Sequence, residues 1–209
     1  MAKWDRILQK EEYQLEEPDK IVVHVVSVLE DRRVGRILDL GCGAGRHVVY
    51  FAEKGFETYG ADISETGLVL TKKRLGRRRL EAEMIKCDMK SIPYVSSCFD
   101  AVLCVQAIYH QRLKEIQQTI SEVHRILKRR GLLLVNLHSK RSDKYGVGTE
   151  LEDGTFIQGN GPEKGVPHHF FDEGELRELL RDFEVDIEVK EKKVGDYLRS
   201  LFIVLAEKM

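Results

Sequence analysis

Residues 36–54 contain three patterns in direct succession: a short apolar run, glycines at alternate positions, and apolar residues at helical spacing. The run 37–40 has the character of a buried strand of a parallel sheet. Apolar residues then recur at helical spacing over 47–54. Between these two segments lie three glycines at every second position, Gly41, Gly43 and Gly45. Glycine tolerates positive φ and has no Cβ, so the backbone can turn sharply and lie against a ligand, with the free N–H groups of the helix start pointing at it.

The spacing of these glycines separates three kinds of nucleotide-binding loop. A dinucleotide fingerprint, G-x-G-x-x-G, needs its last glycine at position 46 or 48, where the chain has Arg46 and Val48. The G-x-x-x-x-G-K-[ST] phosphate loop is absent from the sequence. The chain instead has Asp39 two residues before a G-x-G-x-G run. This pattern favours a nucleotide-type ligand other than a dinucleotide; the alternative is a tight strand–helix turn that binds nothing.

Size and charge limit the classes of protein to consider. A chain of 209 residues fits one α/β domain, so we expect a single domain over residues 1–209. Lys and Arg total 34 against 35 Asp and Glu, which gives no electrostatic pull toward nucleic acid. No apolar run is long enough to cross a bilayer, and the first residues do not form a signal peptide. The four cysteines contain no C-x-x-C pair, so free thiols and a cytoplasmic location are expected.

Strand and helix patterns alternate along most of the chain, which predicts a parallel sheet with helices on both faces. The predicted strands cover residues 37–40, 56–62, 81–87, 99–105, 132–137, 184–190 and 200–205, the last two forming an antiparallel hairpin. The predicted helices cover about 18–29, with Pro18 in the first turn, 47–54, 65–74, 112–127 and 173–181, with Asp172 as the cap of the last. Residues 1–33 are expected to form a helical lid. The glycine-rich residues 139–170 are too long for an idle connection and predict a functional loop at the carboxyl edge of the sheet.

Polar side chains fall at the ends of several predicted strands: Asp39, Asp62, Asp88 and Gln106. In a doubly wound sheet, the carboxyl ends of the strands form the ligand-binding edge. An ionised carboxylate at the end of the second strand can accept hydrogen bonds from both hydroxyls of a ribose. The alternatives are structural, with Asp62 as a helix N-cap and Asp88 as a turn residue.

With these features in place, residues 35–205 resemble the class I S-adenosylmethionine (SAM)-dependent methyltransferases of the type 11 group. Residues 39–45 are similar to motif I, 99–106 to motif IV, and 127–135 to the later L-K-P-G-G-x-L segment, with Arg129-Arg130 in place of Pro-Gly. The resemblance implies an α/β, Rossmann-like fold, a doubly wound, seven-stranded, mostly parallel sheet in the order 3-2-1-4-5-7-6 with strand seven antiparallel. It also implies SAM as the cofactor and S-adenosylhomocysteine as its product.

The resemblance further implies roles for individual residues. Motif I would hold the aminocarboxypropyl end of SAM, Asp62 its ribose, and Asp88 with Met89 its adenine. The implied cofactor-binding set is Asp39, Gly41, Cys42, Gly43, Gly45, Asp62, Ile63, Asp88, Met89 and Gln106. In the lid, Trp4 and Tyr13 either face the sulfonium cation or pack the terminal helix onto the core.

Methyl transfer from a sulfonium releases a neutral group, so positioning supplies much of the acceleration and no metal is required. A base is needed only if the acceptor must lose a proton, and histidine suits that role near neutral pH. The predicted catalytic residues are His110 and His169, and the predicted substrate residues are Tyr109, His138 and His168. The helical residues His24 and His124 are expected to be structural. The sequence shows no metal-ligand spacing, so no metal is predicted.

The motifs that the sequence lacks narrow the range of possible methyl acceptors. After the fourth predicted strand the chain reads V-Q-A-I, not the N/D-P-P-Y of enzymes that methylate amino groups of nucleic acids and glutamine. The basic runs 76–79 and 128–130 fall at helix C-termini, where the dipole favours cations. Residues 163–173 resemble small methyltransferases of the tellurite-resistance type, which implies a small-molecule acceptor. A SAM-binding module without turnover, an RNA-modifying methyltransferase and a nicotinamide oxidoreductase remain as alternatives, and the oligomeric state is open.

Overall fold

The computed structural model describes residues 3–209, and over that range it contains ten strands and six α-helices. The strands are β1 (Arg36–Leu40), β2 (Glu57–Asp62), β3 (Glu83–Lys86), β4 (Phe99–Cys104), β5 (Leu127–Ser139), β6 (Thr149–Glu152), β7 (Thr155–Ile157), β8 (Pro167–Phe171), β9 (Phe183–Val194) and β10 (Tyr197–Lys208). The helices are α1 (Lys3–Ile7), α2 (Lys20–Asp31), α3 (Arg46–Glu53), α4 (Glu65–Arg78), α5 (Leu113–Ile126) and α6 (Glu173–Leu179), and a 3₁₀ turn covers Glu11–Tyr13. Within the described range, none of the helices has the length and apolar character needed to span a bilayer.

The sheet confirms the predicted doubly wound topology. β1 pairs in parallel with β2 and β4, while β3 extends the sheet beyond β2 and β5 extends it beyond β4. β10 pairs antiparallel with β5, and β9 pairs antiparallel with β10. With β9 and β10 as the sixth and seventh strands, this is the predicted order 3-2-1-4-5-7-6. The carboxyl ends of the central parallel strands therefore meet at one edge of the sheet.

Residues 139–170 do not form the loop that the sequence suggested. Within them β6 and β7 make a hairpin, and β8 pairs with β7 and, in parallel, with the end of β5. His138 pairs with Leu201 on one edge of β5 and with Phe170 on the other, so β8 continues the sheet beyond the end of β4. Over the described residues the sheet thus has ten strands rather than seven. The glycines that indicated a loop lie beside these short strands, as Gly148 and Gly154 do at φ of 104° and 75°.

Side chains of β1 alternate between two apolar layers, as expected for a strand buried on both faces. Ile37 packs with Val22 of α2 on one face of the sheet. Leu38 packs with Ile116 of α5 on the opposite face. Helices thus cover both faces of the parallel strands, which leaves the carboxyl edge as the place where a ligand can reach the strand ends.

Two helix starts were predicted from the sequence, and the structure confirms one of them. Pro18 does not lie in the first turn of α2, because the N-cap is Asp19, whose carboxylate accepts the Ile21 N–H at 3.2 Å. Asp172 caps α6 as predicted and accepts the Glu175 N–H at 2.9 Å. The sequence predicted the start of α6 correctly because Asp172, the residue that caps this helix, is itself the strongest local signal of a helix start.

Candidate active site

The glycine run forms a tight turn between β1 and α3. Its three glycines all have positive φ, at 76° for Gly41, 53° for Gly43 and 82° for Gly45. A Cβ on Gly41 would lie 2.5 Å from the Cβ of Ala107, and one on Gly45 would lie 2.3 Å from Thr71. Both conformation and space therefore require glycine at these two positions. The result is a loop whose backbone lies open to whatever occupies the carboxyl edge of the sheet.

Asp62, at the end of β2, holds this loop in place. One carboxylate oxygen accepts the Gly43 N–H at 2.7 Å and the other accepts the Ser64 N–H at 2.8 Å. Burial raises the pKa of Asp62 to about 6, in spite of these two hydrogen bonds. The N-cap of α4 is Ser64, whose hydroxyl accepts the Gly67 N–H at 3.1 Å, so Asp62 is not the helix cap that was the alternative.

A cavity of about 410 Å³ lies over the glycine loop, and we call it the first cavity. All of the predicted cofactor-binding residues except Asp39 line it: Gly41, Cys42, Gly43, Gly45, Asp62, Ile63, Asp88, Met89 and Gln106. Its volume lies within the range of small-molecule sites. Nine of the ten predicted cofactor-binding residues thus line this cavity, because each of them lies at or just after a strand end or in the glycine loop.

Two of the predicted acids take positions that the sequence did not specify. Asp39 is buried beneath the loop, with its Oδ2 lacking a hydrogen-bond partner among the described residues and lying 3.8 Å from the Nδ1 of His47. Asp88 lines the cavity and also forms the turn expected of the structural alternative, because its Oδ1 accepts the Lys90 N–H at 3.0 Å. Asp88 thus combines both interpretations of the sequence.

Gln106 joins the end of β4 to the start of α2. It is a non-glycine residue at positive φ (59°), held there by its N–H, which donates to the Oδ1 of Asn136 at 2.6 Å. Its side-chain Nε2 donates to the Oδ2 of Asp19 at 3.0 Å. This arrangement turns the chain after β4 away from the sheet and carries residues 107–111 along the cavity wall.

Residues 3–15 of the N-terminal segment contribute side chains to the first cavity, and we call this segment the cover. Of the predicted lid 1–33, Met1 and Ala2 lie outside the described residues, α2 packs on the sheet, and residues 3–15 provide the cover. Arg74 binds the carbonyl oxygens of Gln14 and Leu15 at 2.5 and 2.7 Å, which fastens the end of this segment. The side chains of the cover that line the first cavity are Trp4, Leu8, Glu12, Tyr13 and Leu15.

A second cavity, of about 260 Å³, adjoins the first. Four of the five predicted catalytic and substrate residues line it: Tyr109, His110, His138 and His168. The residues that line both cavities are Trp4, Tyr13, Gln106 and His110. The edge of Trp4 meets the ring of His110 at a centroid distance of 4.9 Å. The two cavities therefore meet at these four side chains, so a molecule in the second cavity would lie next to one in the first.

His169, the fifth of these residues, lies outside both cavities in the described structure. Its buried ring is held by Thr155, whose Oγ1 is 2.6 Å from Nδ1, and by Glu175, whose Oε1 is 3.2 Å from Nε2. Neighbouring residues of a strand point to opposite faces, so His168 enters the cavity and His169 enters the core. The sequence shows the two histidines but not which of them faces the ligand.

Two histidine rings in the second cavity, those of His110 and His138, are kept neutral by their burial. Burial, assisted by the neighbouring His168, lowers the pKa of His110 to about 3, and burial also lowers the pKa of His138 well below its usual value. For Glu163, burial would raise the pKa, but the hydrogen bonds with His168 and Tyr13 and the nearby imidazoles lower it to about 2. The cavity thus contains an ionised carboxylate near the neutral rings of His110 and His138.

Sequence reasoning missed several residues that line the cavities. In the second cavity these are Ser142, Lys144, Glu163, Tyr197 and Arg199, and in the first they include Glu12, Arg46, His47, Lys90, Gln111 and Glu115. Glu163 belongs to the segment that resembles the tellurite-resistance type, so it carried a signal. Ser142 and Lys144 lie within residues 139–170, which the sequence marked as functional without singling them out. Tyr197 and Arg199 come from β10, and the residues of the first cavity lie near helix starts or in the loop after β3, where nothing in the local sequence marks a ligand site.

The chain is similar to SAM-dependent methyltransferases in sequence and in fold. Residues 38–135 match the family described as "Methyltransferase domain", which covers the glycine loop, β2, β4 and most of β5. The chain is similar to the putative methyltransferase YqeM of Bacillus subtilis (strain 168), with 34% identity over 124 residues, which cover 58% of this chain and 48% of that protein. The chain therefore spans about half the length of the curated relatives it matches.

Solved structures agree over a larger share of the chain. A SAM-dependent methyltransferase from Methanosarcina mazei superposes with a TM-score of 0.76 and 24% identity, covering 92% of this chain and 99% of that one. The 1,6-didemethyltoxoflavin-N1-methyltransferase of Burkholderia thailandensis, solved with its substrate and S-adenosylhomocysteine, superposes with a TM-score of 0.68 and 19% identity, covering 91% of this chain and 79% of that one. At these identities the agreement establishes the fold.

Proposed function

We propose that the protein is an enzyme that transfers the methyl group of SAM to a small acidic acceptor held in the second cavity. The observation that carries this proposal is that the two cavities adjoin, because four residues line both of them: Trp4, Tyr13, Gln106 and His110. An in-line displacement needs donor and acceptor side by side with their reacting atoms in near contact. Two adjoining cavities of different lining chemistry meet that requirement.

The first cavity fits SAM on features of this chain alone. A Cβ at Gly41 or Gly45 would collide with neighbouring atoms, so the cradle exists only because these residues are glycine. We assign the aminocarboxypropyl end to the glycine loop, the ribose to Asp62 and Ile63, and the adenine to Asp88 and Met89. When bound, SAM supplies an electrophilic methyl group on a sulfonium sulfur.

The lining of the second cavity favours an acidic acceptor with an aromatic or flat apolar part. Lys144 and Arg199 line it, and among the described residues neither forms an ion pair with a carboxylate. The hydroxyphenyl rings of Tyr109 and Tyr197 lie in the same cavity. A cation that meets no protein anion inside a cavity is suited to bind an anionic ligand group. The volume of about 260 Å³ corresponds to a molecule of modest size.

The chain's own groups also limit how an acceptor proton can be removed. His110 has a pKa of about 3, so its ring stays neutral but is a weak base at neutral pH. We therefore give it a positioning role rather than that of the base. The Nε2 of His168 lies 2.8 Å from the Oε2 of Glu163 at the same cavity, and Glu163 has a pKa of about 2, so we assign the acceptor no general base among these three side chains.

The proposal is tested first by calorimetry with SAM and S-adenosylhomocysteine. Wild type should bind both, Asp88→Ala should bind them at least about tenfold more weakly, and the exposed variant Glu178→Ala should match the wild type. Absence of binding by the wild type would reject the cofactor assignment. Turnover is then tested by transfer of labelled methyl groups to a panel of small aromatic acids. Tight SAM binding without transfer to any of them would favour a binding module, and transfer to RNA alone would favour an RNA-modifying enzyme.

We also propose a location for the protein and exclude two classes of partner. The four cysteines are free in the described structure, which fits a reducing compartment such as the cytoplasm. We expect neither membrane nor nucleic acid among the partners, because the formal charge of −1 supplies no basic surface excess. Localisation of the tagged protein and its retention on RNA at low salt test these two expectations.

A further inference from the structure

Three side chains that the sequence keeps far apart converge at the second cavity. The nitrogen or oxygen donor atoms of His110, Glu163 and His168 all lie within 4.8 Å of one another. His110 follows β4, Glu163 lies between β7 and β8, and His168 belongs to β8. The fold rather than any local motif therefore assembles the group, which explains why no ligand spacing is visible in the sequence.

Both ring nitrogens of His168 lie next to oxygen atoms that accept hydrogen bonds. Its Nδ1 lies 3.1 Å from the carbonyl oxygen of Val166, and a carbonyl only accepts, so Nδ1 carries a proton. Without a second proton on the ring, Nε2 presents a lone pair to the Oε2 of Glu163, 2.8 Å away. Two lone pairs at that separation repel, so the pair needs a positive species between or beside them, either a second proton or a metal ion.

His110 supplies a third donor that the protein leaves unused. Its Nδ1 is buried and has no hydrogen-bond partner among residues 3–209. Its ring packs against that of His168 with centroids 4.7 Å apart and an interplanar angle of 78°. A buried polar atom without a partner costs free energy, which a ligand at this position would recover.

Contacts with neighbouring groups also orient these three side chains, as is general for the ligands of metal ions. The hydroxyl of Tyr13 donates to the Oε1 of Glu163 at 3.1 Å, which leaves Oε2 for His168. The carbonyl of Val166 fixes the ring orientation of His168. The His169 N–H donates to the carbonyl oxygen of Tyr109 at 2.9 Å and so joins the backbone beside His168 to the backbone beside His110.

We propose that His110, Glu163 and His168 bind a divalent transition-metal ion, with Zn²⁺ as the ion best suited, at the wall of the acceptor cavity. Two histidines and one glutamate form a ligand set used for Zn²⁺ in open sites, where a fourth position is left for water or substrate. All three side chains line the second cavity, as Lys144 and Arg199 also do, so a molecule in that cavity could take the fourth position. An acceptor that carries both an anionic group and a hydroxyl or thiol matches this combination.

Such an ion would also account for activation of the acceptor, a consequence that rests on the proposed function. A hydroxyl or thiol that joins the coordination of the ion has a lowered pKa, so it releases its proton to solvent when it binds. Its freed electron pair then forms the bond to the methyl carbon, while the pair of the broken carbon–sulfur bond stays on the sulfur. No further oxidant, reductant or base is needed.

Metal binding is tested without SAM or acceptor, so its result is independent of the methyltransferase assignment. The full chain, freed of purification tags and stripped with a chelator, is titrated with Co²⁺ followed by visible absorption, and then with Zn²⁺ in competition. We expect one ion per chain with the intense absorption of a low-coordinate Co²⁺ site, which Zn²⁺ displaces. His110→Ala, Glu163→Gln and His168→Ala should each weaken Zn²⁺ binding at least about 100-fold.

A control and a second measurement keep the test decisive. His24→Ala removes an exposed histidine of α2 and should bind Zn²⁺ like the wild type. SAM calorimetry on Glu163→Gln and His168→Ala, two positions that do not line the first cavity in the described structure, shows that this cavity is intact. The proposal is overturned if wild type and His168→Ala bind Zn²⁺ equally. It is also overturned if NMR shows the His168 ring doubly protonated beside Glu163 and unchanged by Zn²⁺, which would identify the cluster as a proton-holding pair.

Discussion

The hydroxyl of Tyr13 donates a hydrogen bond to the Oε1 of Glu163, 3.1 Å away. This contact joins the N-terminal cover to the segment between β7 and β8, and both residues line the second cavity. Burial and the neighbouring carboxylate of Glu163 together raise the pKa of Tyr13 far above its usual value, so the hydroxyl keeps its proton and remains a donor. Two segments more than a hundred residues apart thus enclose the cavities together. Substrate entry must break this contact or pass beside it.

Tyr13→Phe should loosen the cover without removing its apolar packing. Loss of one hydrogen bond to an ionised carboxylate is expected to cost about 1.5–3 kcal/mol if it is fully desolvated, and less here because Tyr13 is partly exposed. Hydrogen exchange of backbone amides in residues 3–15 should become faster, while exchange in β1 should not change. Tyr50→Phe, which removes a hydroxyl at α3 outside both cavities, is the matched control. Equal exchange in wild type and Tyr13→Phe would show that the cover is held by its other contacts.

Gly45→Ala and Gly76→Ala should change stability in opposite directions. At Gly45 the new methyl would lie 2.3 Å from Thr71 in a residue at φ 82°, and we expect a loss of more than about 2 kcal/mol together with weak SAM binding. At Gly76, inside α4, no atom lies within 4 Å of the new methyl in the described structure, and we expect a gain of about 0.4–1 kcal/mol. Urea denaturation measures both, and a tolerated alanine at position 45 would contradict the cradle geometry.

The raised pKa of Asp62 predicts how stability depends on pH. Its folded value is about 6, above the value of about 3.9 in an unfolded chain, so the folded protein holds this proton more tightly. The stability that this group contributes is therefore complete below about pH 4 and is lost as the pH rises through 6. Relative to Asp62→Asn, the wild type should lose up to about 3 kcal/mol between pH 4 and pH 7.

Urea denaturation at a series of pH values tests this, with Asp100 as the contrast. Burial would raise the pKa of Asp100, but hydrogen bonds from Lys128 and from the Arg36 N–H lower it. The stability difference between the wild type and Asp100→Asn should therefore change in the opposite direction, with the wild type losing stability as the pH falls. A difference for Asp62→Asn that stays constant over this range would show that the carboxylate remains ionised.

The first cavity was predictable from sequence because its wall is made of local signals. Gly41 and Gly45 are required by backbone conformation, and Asp62 follows directly from the end of a strand. Each of these features is a property of a few consecutive residues. Parallel strands then bring their carboxyl ends to one edge without any further information. The order of the seven main strands was predicted from the family resemblance, which itself rests on motifs of a few consecutive residues.

The second cavity was less predictable because it depends on pairing between distant segments. Short strands such as β6 and β7 are stabilised by the sheet they join rather than by their own sequence, so their glycines indicated a loop. Lys144 and Arg199 reach the cavity from two different parts of the fold. A shift of one residue in β8 would exchange the positions of His168 and His169. The sequence contains the cluster-forming residues but not the register that selects among them.

His169→Ala is expected to affect stability and leave the chemistry intact. It removes a buried ring that contacts Thr155 and Glu175, so we expect a loss of about 2–4 kcal/mol in the free energy of unfolding. SAM affinity and the transfer rate per folded molecule should stay within roughly twofold of the wild type. Circular dichroism in urea and methyl-transfer assays at a temperature well below unfolding separate the two effects. A stable variant that has lost transfer would restore His169 to the active site.

Lys144→Gln should weaken the binding of acidic acceptors specifically. The Nζ of Lys144 lies 5.2 Å from the centre of the Tyr197 ring at the second cavity, a position from which it can meet an acceptor carboxylate. Lys144 is a cleaner probe than Arg199, which forms a hydrogen bond with Tyr109. Loss of one such contact should raise KM for an acidic acceptor roughly tenfold, or about 1.4 kcal/mol, with little change in kcat. SAM affinity should be unchanged, because Lys144 does not line the first cavity in the described structure.

The same acceptor converted to its neutral amide provides the internal control. Its KM should be high with the wild type and nearly the same with Lys144→Gln, because the amide carries no charge for the lysine to meet. Lys193→Gln, at an exposed position of β9, should behave as wild type with both compounds. If Lys144→Gln weakens acid and amide equally, the lysine shapes the cavity through its contact with Tyr197, and the acceptor's charge is recognised elsewhere.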